Sequence, residues 1–224
     1  VYRAQGVGIA QALDIIQKHG LPTEKRCKII VTHLEVPELS LTYHPNECDT
    51  IGVADKRRWE TSYEVGDSWD SIKKEKAKNS SRFKVDILVY PQLSFKNLII
   101  TQIYQVLFTL NPAIEVSLWP GMKLTGQVII PVYNDGYGYL QDKVHPGFIT
   151  LSQRFRLPYN IKGKATIGYF SADRYGADLM LFYPFKDERF SLEGRIGAVA
   201  IGYWNGFKLH YDTEFTTTWS LGGN

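Results

Sequence analysis

From residue 83 to the end of the chain, bulky apolar or aromatic side chains recur at every second position, interrupted mostly by turns of two or three residues. Residues 121–132 show the pattern most clearly: Met122, Leu124, Val128, Ile130 and Val132 fall to one side and Lys123, Thr125 and Gln127 to the other. Successive side chains on a strand point to opposite faces. The pattern therefore predicts a mainly β fold, an antiparallel up-and-down β-barrel incomplete in this sequence, with strand length and aromatic placement, given below, favouring the outer-membrane type. Strands are expected over 58–65, 83–95, 98–110, 113–119, 122–133, 148–157, 161–171, 174–183, 189–204 and 207–220, about ten in all.

The first 45 residues keep a different rhythm. Ile9, Ala12, Leu13, Ile15 and Ile16 recur at helical spacing within 8–19, and Gly20-Leu21-Pro22 ends that helix. Lys28-Ile29-Ile30-Val31 reads as a strand, and Leu39, Leu41 and Tyr43 alternate in its partner. The expected organisation is a small α/β module over 1–45, a polar linker over 46–57 and the barrel over 58–224. Gly6 and Gly8 lack the third glycine and the Lys-Ser/Thr pair of a phosphate loop, so they read as loop flexibility.

Read strand by strand, the apolar side collects Val85, Ile87, Val89, Leu93, Tyr104, Val106, Phe108, Ile149, Leu151, Tyr175, Leu179, Ile196, Leu209, Tyr211 and Phe215. The polar side collects Arg154, Arg156, Lys162, Lys164, Arg174, Asp178, Glu193, Arg195, Lys208, His210, Asp212 and Glu214. In a soluble sandwich the apolar side would be a core; in a membrane barrel it meets lipid and the charged side lines the lumen. Most of these strands reach the 9 to 11 residues or so that a tilted strand needs to cross a bilayer. Trp119, Tyr133, Tyr159, Tyr183, Phe185, Trp204, Phe207 and Trp219 lie near strand ends, where interfacial aromatics belong. Both features favour the membrane reading. Such barrels carry short periplasmic turns and longer outer loops. Ten strands put the long segments 67–82 and 134–147 at one end, and the turns at Asn97, Pro120-Gly121, Pro158-Tyr159 and 184–188 at the other. The N-terminal module is then expected in the periplasm and the Asn134 loop outside.

Composition narrows the function. A net charge of +3 from 26 basic and 23 acidic residues sets no field for nucleic acid, and the lysines at 73–78 read as a solvated loop. No apolar run approaches the length of a transmembrane helix. The chain has no initiating Met and no signal-type apolar segment, so it is expected to be part of a longer product, with further strands after Asn224. Cys27 and Cys48 come near each other if 28–34 and 38–43 form a hairpin; a disulfide and two separate thiols both remain open. Neither cysteine has C-x-x-C spacing and the histidines add no ligand pattern, so no metal or other cofactor is expected. Ser152, Ser171, Ser191 and Ser220 lack a histidine and carboxylate in suggestive positions, and His210 beside Asp212 reads as a hydrogen-bonded pair. Asp178 and Glu193 sit near Arg174 and Arg195, which would hold both carboxyls ionised rather than raise one for acid catalysis. The chain is expected not to be an enzyme.

The segment Gly168-Tyr169-Phe170-Ser171-Ala172-Asp173-Arg174-Tyr175-Gly176-Ala177-Asp178-Leu179, with Tyr183-Pro184 and Arg189-Phe190-Ser191-Leu192, resembles the barrel repeat of the YjbH/GfcD family of outer-membrane exopolysaccharide and group 4 capsule proteins. Leu118-Trp119-Pro120-Gly121-Met122 is similar to that family's Leu-Trp-Pro-Gly turn, and Val36-Pro37-Glu38-Leu39-Ser40-Leu41-Thr42-Tyr43 to its N-terminal strand, with Val36 a departure before the proline. The resemblance implies an outer-membrane barrel that assists assembly or secretion of a surface exopolysaccharide or capsule, in contact with outer-membrane lipid and with periplasmic or lipoprotein partners. It carries over no catalytic residues. Candidate polysaccharide contacts are Arg154, Arg156, Lys162, Lys164, Arg174, Asp178, Glu193 and Arg195 on the polar face, and Asp135, Tyr137, Tyr139 and Gln141 in the long loop. Aromatic faces stack on sugar rings and cations pair with acidic sugars. The alternative is a soluble β-rich cell-surface carbohydrate-binding module.

Overall fold

A computed structural model of the protein describes residues 5–19, 26–44, 59–74, 82–99, 102–170, 173–185 and 189–223. The fold is mainly β with antiparallel sheets and a small N-terminal helix and sheet module. Two compact units are present: Val1–Val31 with Glu38–Ile72, and Thr32–Pro37 with Lys73–Asn224.

The first unit begins with α1 (Gln5–Lys18), whose expected helix is present and carries an Asp14–Lys18 ion pair one turn apart at 2.6 Å. β1 (Cys27–His33), β2 (Val36–Tyr43) and β3 (Trp59–Ser62) form a three-stranded sheet in that order. β3 corrects the sequence expectation: the segment read as the first barrel strand pairs with β2, Ser40 opposite Ser62 and Tyr43 opposite Trp59. The reason lies in a buried serine. Ser40 is 2% exposed and its hydroxyl donates to the carbonyls of Glu64 at 2.8 Å and Ser62 at 3.3 Å. Those bonds hold the chain as it leaves β3 for α2 (Gly66–Ile72), a helix where a loop was expected. Cys27 is half-buried in β1, while Cys48 and the expected linker over 46–57 lie outside the described residues.

The second unit holds β4 (Val85–Ile99), β5 (Gln102–Ser117), β6 (Met122–Asp135), β7 (His145–Arg156), β8 (Lys162–Phe170), β9 (Arg174–Pro184), β10 (Ser191–Asn205), β11 (Lys208–Tyr211) and β12 (Thr216–Gly223). β4 to β10 lie side by side in chain order, and β11 and β12 share the next position by pairing with opposite halves of β10. Among the described residues nine strands thus occupy eight positions. The barrel, expected to be incomplete in this sequence, is not closed among the described residues: the sheet is open, with β4 at one edge and β11 and β12 at the other. Closure needs a last strand that pairs along the length of the first. The last position here is interrupted at 212–215, where four residues stand opposite only Ala200 and Ile201 of β10.

Two expected strands, 98–110 and 113–119, are one, because β5 runs straight through Asn111-Pro112. Pro112 has no N–H to give, and the β5–β6 register carries no pair at Asn111 or Pro112. Pairing to β4 continues, Tyr90 opposite Asn111 and Val89 opposite Pro112, so one ladder carries the strand past the gap in the other. Asn97, expected at a turn, lies inside β4 opposite Tyr104. The connections at 118–121 and 157–161 share one end of the sheet, as expected, and β9 ends and β10 begins there; the chain also enters β4 at this end and not, as expected, at the other, with Phe83 donating to the carbonyl of Ser117. The loop at 136–144 lies at the other end.

Burial on this sheet runs against the usual rule. Thr109, Asn111, Gln105, Gln127 and Ser152 are buried, with Asn111 only 3% exposed, whereas Ile114, Ile167 and Ile196 are each at least 50% exposed. These isoleucines sit on strands paired on both sides, so the exposure is that of a face and not of an edge. The register makes the apolar face continuous: Ile87 opposite Ile114, Leu93 opposite Phe108, Leu124 opposite Leu151, Leu151 opposite Ile167, Leu179 opposite Ile196. Burying one such side chain is worth about 1.5–3 kcal/mol. Half exposed, each would forgo about half of that in water, so four would together forgo roughly 3–6 kcal/mol against a domain stability of about 5–15 kcal/mol.

Candidate functional site

The polar face is assembled by the register of β5 to β12. Strands β7 and β8 turn around 157–161, which sets Arg154 opposite Lys164 and Arg156 opposite Lys162. On β6, Lys123 stands opposite Ser152, one rung further along. The polar side of β6, β7 and β8 therefore bears five cations, Lys123, Arg154, Arg156, Lys162 and Lys164, and no carboxylate. Two acids stand on the flanking strands. Glu115 of β5 accepts from Lys123 Nζ at 3.0 Å, and Asp178 of β9 accepts from Arg195 Nε at 2.6 Å.

Around this group the anchoring is specific. Arg156 donates to Asn160 Oδ1 at 2.6 Å and to the carbonyl of Pro37 at 3.2 Å. The Pro37 segment is held to the same end of the sheet by Gly121 N donating to the carbonyl of Leu34 at 2.7 Å and by Arg82 reaching Glu35 at 3.4 Å. Gly121 accepts in turn from the backbone N–H of Arg154 at 2.8 Å, in a turn where its φ of 81° suits glycine. Lys162 lies over the ring of Phe182 at 5.5 Å. Lys164 is half-buried and forms no hydrogen bond or ion pair among the described residues.

Of the sequence-selected residues, Arg154, Arg156, Lys162, Lys164, Asp178, Glu193 and Arg195 do share one face, and Arg174 lies on it at the far end of β9. Lys208 and His210 join that face in β11, His210 stacked on Tyr203 with centroids 5.1 Å apart. Asp212 and Glu214, read as strand residues of the polar face, fall in the interruption between β11 and β12.

The loop residues form a separate group. Asn134 organises this loop: its amide donates to Gly138 O at 3.0 Å and Asp142 Oδ1 at 2.6 Å, and its oxygen accepts from Tyr137 N at 2.9 Å. Asp135 closes β6 opposite Val106, and Tyr139 and Gln141 lie in a 3-10 helix, Tyr139–Asp142. Lys96 sits over the Tyr137 ring at 4.0 Å, and Tyr139 is 73% exposed. β7 separates the loop from Arg154 and Arg156 by about ten residues, roughly 30 Å, so the two groups are distinct places.

Sequence reasoning missed Asn134, the Lys123–Glu115 pair and the direct opposition of the cations. The last was written in the chain: Arg-Phe-Arg-Leu-Pro-Tyr-Asn-Ile-Lys-Gly-Lys is nearly symmetric about Tyr159, so any hairpin centred there pairs cation with cation. Among the described residues no group of three or more His, Cys, Asp or Glu could hold a metal, and no helix is long and apolar enough to cross a membrane.

Aromatics crowd the apolar face at the end that carries the 136–144 loop. Tyr169 and Tyr175 are register partners; Tyr169 packs edge-on to Trp204 at 5.6 Å and Tyr175 to Phe215 at 5.6 Å. Their hydroxyls leave the face and find polar partners, Tyr169 donating to Asp173 Oδ1 at 3.0 Å and Tyr175 to the carbonyl of Asp212 at 2.5 Å. At the opposite end Trp119 donates its indole N–H to Gln153 at 3.0 Å, and Tyr183 packs on Phe185 at 5.2 Å. Aromatic rings thus gather near both ends of the sheet.

No protein-family model, curated protein or solved structure matches this chain.

Proposed function

We propose that the sheet is the wall of an outer-membrane β-barrel that assists assembly or secretion of a surface exopolysaccharide or capsule, with its apolar face toward lipid and its polar face toward a lumen. The carrying observation is the inverted burial, Asn111, Thr109 and Gln127 covered while Ile114, Ile167 and Ile196 are open. Water is the wrong solvent for such a sheet and a bilayer is the right one. β4 to β10 have nine or more residues each, enough to cross. The aromatics at both strand ends support the same reading. An even number of positions, eight, matches bacterial barrels and leaves the two edges antiparallel to each other. Pairing between them, or through an even number of added strands, would satisfy the edge backbone groups that a bilayer cannot. A soluble carbohydrate-binding module would need the opposite burial.

With the short turns 118–121 and 157–161 inward, the chain enters β4 from the periplasm and the 136–144 loop faces outward. The link to polysaccharide comes from the resemblance to the YjbH/GfcD family and from a face that offers charged and aromatic groups to a sugar chain. Deleting the coding sequence from a host that carries it is expected to lower cell-surface polysaccharide and leave material behind in the periplasm. Unchanged surface polysaccharide would contradict the assignment.

A further inference from the structure

Where β11 gives way to β12, the four residues 212–215 stand opposite only Ala200 and Ile201. An irregularity of this kind forfeits ladder hydrogen bonds, and it recurs beside functional sites because it re-aims side chains. Here it borders a cleft of about 570 Å³ lined by Ile201, Tyr203, Leu209, His210, Tyr211 and Asp212. That is within the size range of small-ligand sites, about 300–1,000 Å³. Tyr203 and His210 are register partners whose rings stack at 10° to one another. Each ring braces the other, so this aromatic wall loses little freedom when a ligand arrives. Asp212 extends the same face by one rung, its N–H donating to the carbonyl of Ile201 at 2.9 Å. Its exposed carboxylate accepts from the N–H of Glu214 at 3.3 Å, and a carboxylate has room for further donors.

From this arrangement we infer that the cleft is a subsite for one unit of a neutral polysaccharide. The apolar face of a sugar ring rests on Tyr203 and Tyr211, 40% and 65% exposed, and its hydroxyls donate to Asp212. The inference rests on the lumen reading of the polar face and adds to it a place and a substrate class. Charge decides the class: Asp212 and Glu214 set two carboxylates within three residues, which repels an acidic sugar, and Lys208 lies four residues, about 13 Å, back along the strand. Lys143 Nζ donates to Asn205 Oδ1 at 2.8 Å, so the 136–144 loop and the β10–β11 turn meet at one rim. The subsite then lies at the outward mouth, where an exported chain leaves. A strand pairing on the free edge of β11 would engage backbone groups, while the stacked rings stand off the sheet face.

The test uses the full chain folded in lipid vesicles, with insertion scored by protease protection before any glycan is added. Labelled dextran, galactomannan and arabinoxylan are the neutral probes and polygalacturonate the acidic one, each read by flotation with the vesicles and corrected for empty vesicles. Native protein is expected to bind at least one neutral polymer, to bind it equally at low and high salt, and to ignore polygalacturonate. Asp212→Asn is expected to weaken binding about tenfold, the loss of one charge-assisted hydrogen bond. Tyr203→Ala is expected to lose a similar amount, while Tyr203→Phe keeps the ring and retains binding. Should Tyr203→Ala fail to insert, the near-isosteric Asp212→Asn decides.

Inserted native protein that binds none of the neutral polymers would overturn the subsite and leave the membrane wall standing. Equal binding by native and Asp212→Asn, or binding of polygalacturonate alone, would overturn it too. Protein that stays in buffer unprotected yet binds a neutral polymer through Asp212 would overturn the membrane reading and keep the subsite.

Discussion

Ile167→Arg is expected to lower the stability of the protein in lipid vesicles by about 2–4 kcal/mol, the cost of an arginine at the middle of a lipid-facing strand. That is roughly a 30- to 1,000-fold shift in the folded-to-unfolded ratio, read as an earlier midpoint in a urea titration. The neighbouring Thr166→Arg, on the other face of β8, is expected to stay within about 1 kcal/mol of native. The pair is informative because exposure predicts otherwise. Ile167 is 53% exposed, and in water an exposed isoleucine is replaced at a cost within about 0.5 kcal/mol. Only if that exposed surface lies in lipid does the substitution become severe.

A second large effect is expected at a pair of glycines. Gly168 and Gly176 stand opposite each other in β8 and β9, with φ of 136° and 150°. An alanine at 168 would sit against the backbone oxygen of Ile149 and within 2.9 Å of Thr150 Cα; an alanine at 176 would meet the backbone oxygen of Ala198 and lie 2.9 Å from Val199 Cα. Backbone atoms in the middle of a ladder cannot give way as a side chain can. Gly168→Ala is therefore expected to cost about 2 kcal/mol or more, from an unfavourable backbone region together with displacement of β7. Gly126→Ala in β6 is the control, since nothing lies within 4 Å of the added carbon. It should be neutral or stabilising by under about 1 kcal/mol. Adjacent sites share their strain, so the Gly168 and Gly176 changes together should cost less than their sum.

How far the sequence foretold these features follows from which interactions are local. Alternation depends on the strand period alone, so the two faces and most strand bounds from β6 to β10 were legible, as was the helix α1. What escaped was decided by distant partners. Pro112 reads as a break, and only the ladder to β4, with Val89 opposite it, carries the strand through. The segment at 59–62 alternates as well as any barrel strand, and its place beside β2 depends on Ser40 and the carbonyls of Ser62 and Glu64. The two missed features cancel in one respect. Removing one strand and fusing two others still leaves the turns at 120 and 159 together and the Asn134 loop opposite them, whereas Asn97, expected at a turn, lies within β4.

The candidate site shows the same division. Its residues could be assigned to one face by parity, but their neighbours depend on register. Arg195 was expected near Asp178, and the two meet at 2.6 Å. Which cation meets which follows from the register across the β7–β8 turn at 157–161. The Asn134 loop was legible as a loop and not as a structure, because a single amide side chain with three partners decides its shape.

The central claim is that the apolar face of the sheet lies in lipid. It is tested most directly with Cys27 and Cys48 replaced by serine and a single cysteine introduced at Ile167 or Thr166, labelled with a fluorophore and reconstituted in vesicles containing chain-brominated lipid. The account predicts strong quenching at 167 and little at 166. Equal quenching at the two positions, or bright fluorescence at 167 from protein that remains in buffer, would contradict it.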